Sequence, residues 1–177
     1  MNKNILLLLS IVMLSACASV TKTAAIKNED GDLVGFVSKK NFQEEPYGSE
    51  WFNDFYSYYE IDSKTVASIK ENTNGVTVKG FMGTWCGDSQ REIPNFYKIF
   101  DSAGFNYKNL ELIAVDRAKK ANDLEKGYNI LRVPTFIFYK DGKEIGRFVE
   151  HPNDGSTIEN DILKIVSGVP YKHSYEK

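Results

Sequence analysis

Short apolar stretches bounded by turn residues alternate along this chain with segments whose apolar residues recur every three or four positions. Asp30-Gly31 introduces Leu33-Val34-Gly35-Phe36-Val37, a first strand at a sheet edge or as half of a hairpin. Val76, Val78, Phe81 and Met82 form a buried strand between the Asn74-Gly75 turn signal and Gly83. Leu110, Leu112, Ile113, Ala114 and Val115 make a nearly continuous run, as expected of a strand covered on both faces. Phe136-Ile137-Phe138-Tyr139, then Asp141-Gly142, then residues 144–149 read as an antiparallel hairpin, because Asp-Gly suits a two-residue turn. Helical spacing sets in at Val66 and Ile69 behind a cap at Asp62 or Ser63, and again at Ile93, Phe96, Tyr97 and Phe100. A short helix is predicted from Ala118, Ala121 and Leu124, stopping at Gly127. Ser156-Thr157-Ile158-Glu159 reads as a capping box opening a last helix with Ile158, Ile162, Leu163, Ile165 and Val166 inward and Gly168 and Pro170 at its end. Strands and helices in alternation predict a layered α/β domain.

Two stretches fit this pattern less well. Residues 39–49, with Pro46 and Gly48, read as a loop. The aromatic segment that follows places Trp51, Phe55 and Tyr58 on one helical face and Phe52, Tyr56 and Tyr59 on another. One face would pack on the domain and the other could meet a peptide or a neighbouring protein, although aromatic stripes are more often core.

The first residues obey neither period. Lys3 leads into an apolar run over residues 5–14, followed by Leu14-Ser15-Ala16-Cys17. Ten residues span only about 15 Å as a helix, half of a ~30 Å hydrocarbon core, so the run reads as the apolar region of a signal peptide rather than a membrane span. Leu-Ser-Ala-Cys resembles the lipobox of bacterial lipoproteins. That resemblance implies residues 1–16 as a removed signal peptide, lipid on Cys17, and residues 17–31 as a polar tether. Because Ala18 rather than aspartate follows Cys17, the expected address is the outer membrane of a Gram-negative envelope, facing the periplasm.

The 177 residues suit one domain with extensions, and a formal net charge of -2 without a basic patch argues against nucleic acid as a partner. The composition holds two cysteines. With Cys17 committed to lipid, Cys86 is a single thiol in an exported, oxidising compartment. It lies between the second strand and the helix beginning near residue 87, where unpaired N–H groups and the helix dipole favour an anion, a position that suits a thiolate nucleophile. The alternative is an inert buried cysteine, one of the most commonly buried residue types.

Trp85-Cys86-Gly87, Pro94 inside the following helix, and Val133-Pro134-Thr135 ahead of the hairpin together resemble the thioredoxin family over roughly two-thirds of the chain. The resemblance implies a three-layer α/β/α sandwich with a central mixed sheet, its core over residues 76–172, an N-terminal extension over 32–75 and a tail at 173–177. It also implies a cis Val133–Pro134 bond beside Cys86 and a substrate-binding edge at Trp85, Val133, Pro134 and Thr135. Two departures stand out. Ser89 occupies the place of the second cysteine of Cys-x-x-Cys, and Gly80 the place where many thioredoxins carry a buried acid.

The remaining catalytic set is Cys86, Ser89, Trp85 and Pro134. A monothiol site can form a mixed disulfide but needs an external thiol to release it, so the expected partners are exported protein thiols or disulfides and glutathione-like small thiols. The Ser89 hydroxyl is expected to hydrogen-bond the thiolate, and Asp88 to oppose it by like charge. Cys86-Gly87-Asp88-Ser89 also superficially resembles the monothiol glutaredoxin motif, which holds an iron–sulfur cluster, but Trp85 and the exported address speak against it. No zinc or calcium pattern is visible, His151 and His173 being far from any cysteine pair, and no cofactor is expected. Two functions follow: a lipid-anchored thiol–disulfide exchange protein, or a non-catalytic peptide-binding module that keeps the groove.

Overall fold

In the computed structural model, which describes residues 24–176, six strands form one mixed sheet in the order β1-β2-β4-β3-β5-β6. The strands are β1 (Ile26–Lys27), β2 (Leu33–Val37), β3 (Val76–Met82), β4 (Leu110–Ala114), β5 (Thr135–Lys140) and β6 (Lys143–Val149). Central β3 runs parallel to β4, with Phe81 opposite Ile113, and antiparallel to β5, with Phe81 opposite Thr135. Of the two alternatives expected for β2, the hairpin holds and the edge does not: it forms a hairpin with β1 and pairs on its other side with β4, leaving β1 at the edge. The β5–β6 turn places Asp141 at φ 50° and Gly142 at φ 73°, the left-handed pair that Asp-Gly tolerates.

The alternation along β3 decides which element covers which face. Val76, Val78 and Met82 point into the larger core with α3 (Ser63–Asn72), α4 (Gly87–Ala103) and α5 (Ile158–Ser167). Phe81 points the other way, into a smaller cluster with Ile113, Val115, Ala121, Val133 and Ile137. Asp62 caps α3 by accepting from Thr65 N at 2.7 Å, as the sequence predicts. Gly104 and Gly168 end α4 and α5 in the left-handed conformation.

Three sequence expectations are corrected. Residues 118–127 form turns rather than a helix: Lys119, Asn122 and Asp123 sit at φ 61°, 50° and 75°, left-handed geometry that no α-helix contains. Residues 39–49 are not simply a loop, because Lys39–Gln43 forms α1 before the cis Glu45–Pro46 bond. The last helix is capped by Thr157, which accepts from Asn160 N at 3.3 Å, and not by a Ser156–Glu159 box. Glu159 is buried instead, accepting from the Tyr59 hydroxyl.

The aromatic segment winds through a π-turn at Gly48–Phe52 into α2 (Asn53–Tyr58). Phe42, Trp51 and Phe52 are buried with ring centroids 5.6–6.2 Å apart, and Phe52 meets Tyr97 of α4 edge-on at 6.2 Å. The two faces expected from helical spacing are therefore redrawn: Trp51, Phe52, Tyr56 and Tyr59 face the core, and Phe55 and Tyr58 face outward. A polar tie reinforces the docking. Asp101 of α4 accepts from Lys39 of α1, from Tyr56 of α2 at 2.7 Å and from Tyr107, past the end of α4, at 2.7 Å.

Candidate redox site at the start of helix α4

Strand β3 ends at Met82, and the chain turns through Gly83-Thr84-Trp85 before Cys86 caps α4. This turn is held from four sides. Trp85 Nε1 donates to Val115 O at 3.0 Å, and Gln90 Nε2 to Thr84 O at 2.8 Å. Leu33 N donates to Thr84 Oγ1 at 3.2 Å, and Gly83 N to Ser89 Oγ at 3.2 Å. The Trp85 ring lies so close over Gly83 that a Cβ there would stand 2.5 Å from Cε2, which explains the glycine on steric grounds alone. Thr84 and Gln90 carry no signal in the sequence, since their bonds cross between segments that only the fold brings together.

Cys86 is half-buried, and its thiol donates to Val133 O at 3.2 Å. The Val133–Pro134 bond is cis, and Pro134 O accepts from Glu150 N at 2.7 Å. Thr135 is buried, its hydroxyl donating to Arg132 O at 2.7 Å. Among the described residues, Val133 N–H has no hydrogen-bond partner. The structure thus brings Trp85, Cys86, Val133, Pro134 and Thr135 to one edge, while Cys17 lies outside the described residues.

Ser89 has a different place from the one expected of it. It is fully buried, and its hydroxyl accepts from Gly83 N–H across the turn rather than bonding the sulfur of Cys86. It anchors the loop that presents the thiol. Asp88 does not stand uncompensated beside the thiol either, because Arg91 Nη2 donates to its carboxylate at 2.7 Å. Lys79 pairs with Glu111 at 2.8 Å and donates to the Tyr128 hydroxyl at 2.8 Å, so its charge is engaged away from the thiol. Cations gather at the Trp85 ring: the Arg117 and Lys119 charges lie 5.7 and 5.8 Å from its centroid. Asp116 closes a turn by accepting from Lys120 N at 2.8 Å.

At Gly80 a Cβ would stand 2.6 Å from Leu112 Cδ1 and 3.1 Å from Phe136 Cδ1. Packed side chains fill the space of the missing acid. Among the described residues no three His, Cys, Asp or Glu side chains are grouped to hold a metal ion, and no helix is long and apolar enough to cross a membrane.

A thiol capping the helix after the central strand, set against a cis proline at the start of the next antiparallel strand, is the arrangement of a thioredoxin fold. The thioredoxin family model matches residues 60–164, and the chain belongs to that family. It is 34% identical over 82 residues to a thioredoxin of Ictalurus punctatus, covering 46% of this chain and 74% of that one. It is 32% identical over 94 residues to the TPR repeat-containing thioredoxin TDX of Arabidopsis thaliana, covering 53% of this chain but only 23% of that longer protein. Among solved structures, Fasciola hepatica thioredoxin is similar at 30% identity with a TM-score of 0.33, covering 46% of this chain and 73% of that one. Residues 24–59, which carry β1, β2, α1 and α2, precede the family match.

Proposed function

We propose that this thioredoxin-like protein performs thiol–disulfide exchange through Cys86 alone, tethered to the outer membrane by lipid on Cys17. The carrying observation is the half-buried Cys86 at the α4 N-terminus, its sulfur 3.2 Å from the carbonyl beside a cis proline, in a chain whose other cysteine sits in a lipobox-like sequence. The Cys86 thiolate attacks one sulfur of an exported protein's disulfide. A mixed disulfide forms, the old S–S bond breaks, and the departing thiolate takes up a proton. An external thiol such as glutathione then attacks the mixed disulfide and regenerates Cys86. The unpaired Val133 N–H and the Trp85 ring provide an edge along which an extended substrate can lie beside the sulfur.

Incubating the full chain carrying Cys17→Ser with oxidised glutathione tests this by intact mass. The expected product is one glutathione per chain, removed by excess reduced glutathione and absent in Cys86→Ser. A folded chain that stays unmodified while the urea-unfolded chain reacts sinks the exchange reading. That outcome favours a non-catalytic peptide-binding module, a reading supported by the engagement of the Cys86 thiol with Val133 O. In that case Cys86→Ala leaves partner affinity unchanged.

A further inference from the structure

Four strand ends share the edge that carries the thiol. Register sets Ala114 of β4 beside Met82 of β3, Phe81 of β3 beside Thr135 of β5, and Thr135 beside Val149 of β6. Across this edge the strands therefore follow one another as β4, β3, β5, β6. Trp85 is tied to the β4 end through Val115 O, Cys86 follows β3, and Pro134 precedes β5. The β6 end, at Glu150, is occupied by the segment that follows α5, which lies beyond the family match at residues 60–164.

That segment is fastened to the edge by specific bonds. Asn153 Nδ2 donates to Lys172 O at 2.9 Å, and Ser174 Oγ to His151 O at 3.3 Å. The Tyr175 hydroxyl donates to Glu150 Oε2, the oxygen that also accepts from Arg132 Nη1 at 2.9 Å, and it lies 3.2 Å from His151 Nε2. The Arg132 guanidinium stands 3.8 Å from the centroid of the Tyr175 ring. Both of these partners adjoin the cis-proline unit. Arg132 directly precedes Val133, whose carbonyl accepts from the thiol, and Glu150 N–H holds Pro134 O. The bond to Glu150 holds the Tyr175 phenol above its usual 10, and the Asp88 carboxylate, two residues beyond Cys86, pushes the same way. Arg132 and Glu150 neutralise each other, so what this end of the edge offers is a ring, and that ring is 39% exposed. Three strand spacings of about 4.8 Å set the Trp85 and Tyr175 ends of the edge roughly 14 Å apart with β3 and its thiol between them, room for one extended chain.

We propose that Tyr175 is a specificity-determining residue of the exchange reaction, a second aromatic wall that contacts an apolar side chain next to the reacting cysteine of an extended polypeptide disulfide. This rests on the exchange reading of Cys86. In that step the Cys86 thiolate forms a bond to one substrate sulfur, the substrate S–S bond breaks, and the other half leaves as a thiolate that takes a proton from water. Oxidised glutathione has no apolar side chain beside its cysteines and gains nothing from the ring.

The probes are the symmetric disulfides of two capped five-residue peptides, one with phenylalanine on both sides of its cysteine and one with glycine there, alongside oxidised glutathione. Mixed-disulfide formation is timed by intact mass on the full chain carrying Cys17→Ser. The phenylalanine peptide is expected to react about fivefold faster than the glycine peptide, the worth of one aromatic contact. In Tyr175→Ala that ratio is expected to fall below about twofold, and in Tyr175→Phe, which keeps the ring and loses only the hydroxyl bond to Glu150, to stay near fivefold. A second measurement needs no substitution at Tyr175. The Cys17→Ser chain has no other thiol to resolve the adduct, so the mixed disulfide persists, and the Tyr175 ring proton resonances are expected to shift in the phenylalanine adduct and stay in place in the glycine adduct. Equal rates for the two peptides, a ratio unchanged in Tyr175→Ala, or unshifted Tyr175 resonances overturns the proposal and leaves the exchange reading standing. Failure of all three disulfides to react with the folded chain overturns both.

Discussion

Replacing Asp101 by asparagine tests whether the N-terminal extension is an integral part of the domain. One carboxylate here accepts hydrogen bonds from Lys39, Tyr56 and Tyr107, joining α1, α2 and the segment after α4, and its side chain is 27% exposed. Asparagine keeps one acceptor oxygen and turns an amide N–H₂ toward donors, so one to two charge-assisted bonds are lost. At about 1.5–3 kcal/mol each, discounted for partial exposure, the expected loss is about 2–3 kcal/mol. Urea unfolding followed by circular dichroism reads this as a lower midpoint at unchanged slope, and thermal melting as a fall of about 5–10 °C. The pH dependence has a defined sign. Burial pushes the Asp101 carboxyl up, but the hydrogen bonds from Lys39, Tyr56 and Tyr107 outweigh it, and the group is held below its usual 3.8. The stabilisation is present above that unfolded value and disappears as pH falls through the lower folded one. For Lys39, burial pulls downward but the Asp101 bond prevails, so its share is complete below 10.5 and is lost as pH rises beyond the raised folded value. The gap between wild type and Asp101→Asn is thus wide and flat through neutral pH and closes in acid. A loss below about 0.5 kcal/mol, or a gap that widens on acidification, refutes the reasoning.

Gly80→Ala drives a Cβ against Leu112 and Phe136 and is expected to cost about 1–3 kcal/mol in chemical denaturation; a neutral result means that the pocket yields. Gly83→Ala forces the Trp85 ring aside and is expected to break its bond to Val115 O, seen as a shift of the indole N–H proton resonance, with no shift contradicting the steric argument. Ser89→Cys supplies a second thiol but replaces the acceptor of Gly83 N–H by a weak one. A loss of about 0.5–1.5 kcal/mol in the reduced state is expected, and equal stability would show that the bond contributes nothing.

Legibility in the sequence followed the range of the interactions involved. β3, α4 and the β5–β6 hairpin were readable because period, turn residues and caps lie within a few positions of one another, as with Asn74-Gly75 before β3 and Asp141-Gly142 between β5 and β6. The supposed helix at 118–127 misled because three apolar residues share a helical spacing, while Asn122 and Asp123, which tolerate left-handed geometry, were the contrary signal. Glu159 looked like half of a capping box, yet its partner is Tyr59, one hundred residues earlier in the chain. At the site, the positions of Trp85, Cys86 and the Val133-Pro134-Thr135 turn were readable from the family's motifs. The place of Ser89 was not, because a serine three residues into a helix can face the sulfur or the loop, and only the closeness of Gly83 decides between them.

The chain's two tryptophans fall on opposite sides of this architecture. Trp51 is 4% exposed within the docked extension, whereas Trp85 is half-buried beside the thiol with Arg117 and Lys119 near its ring. The molecule therefore carries two optical probes with separate subjects. Emission from Trp51 reports whether the extension is seated, and emission from Trp85 reports what happens at the neighbouring sulfur. With either indole replaced by phenylalanine, the other can be followed alone, without a label and in real time.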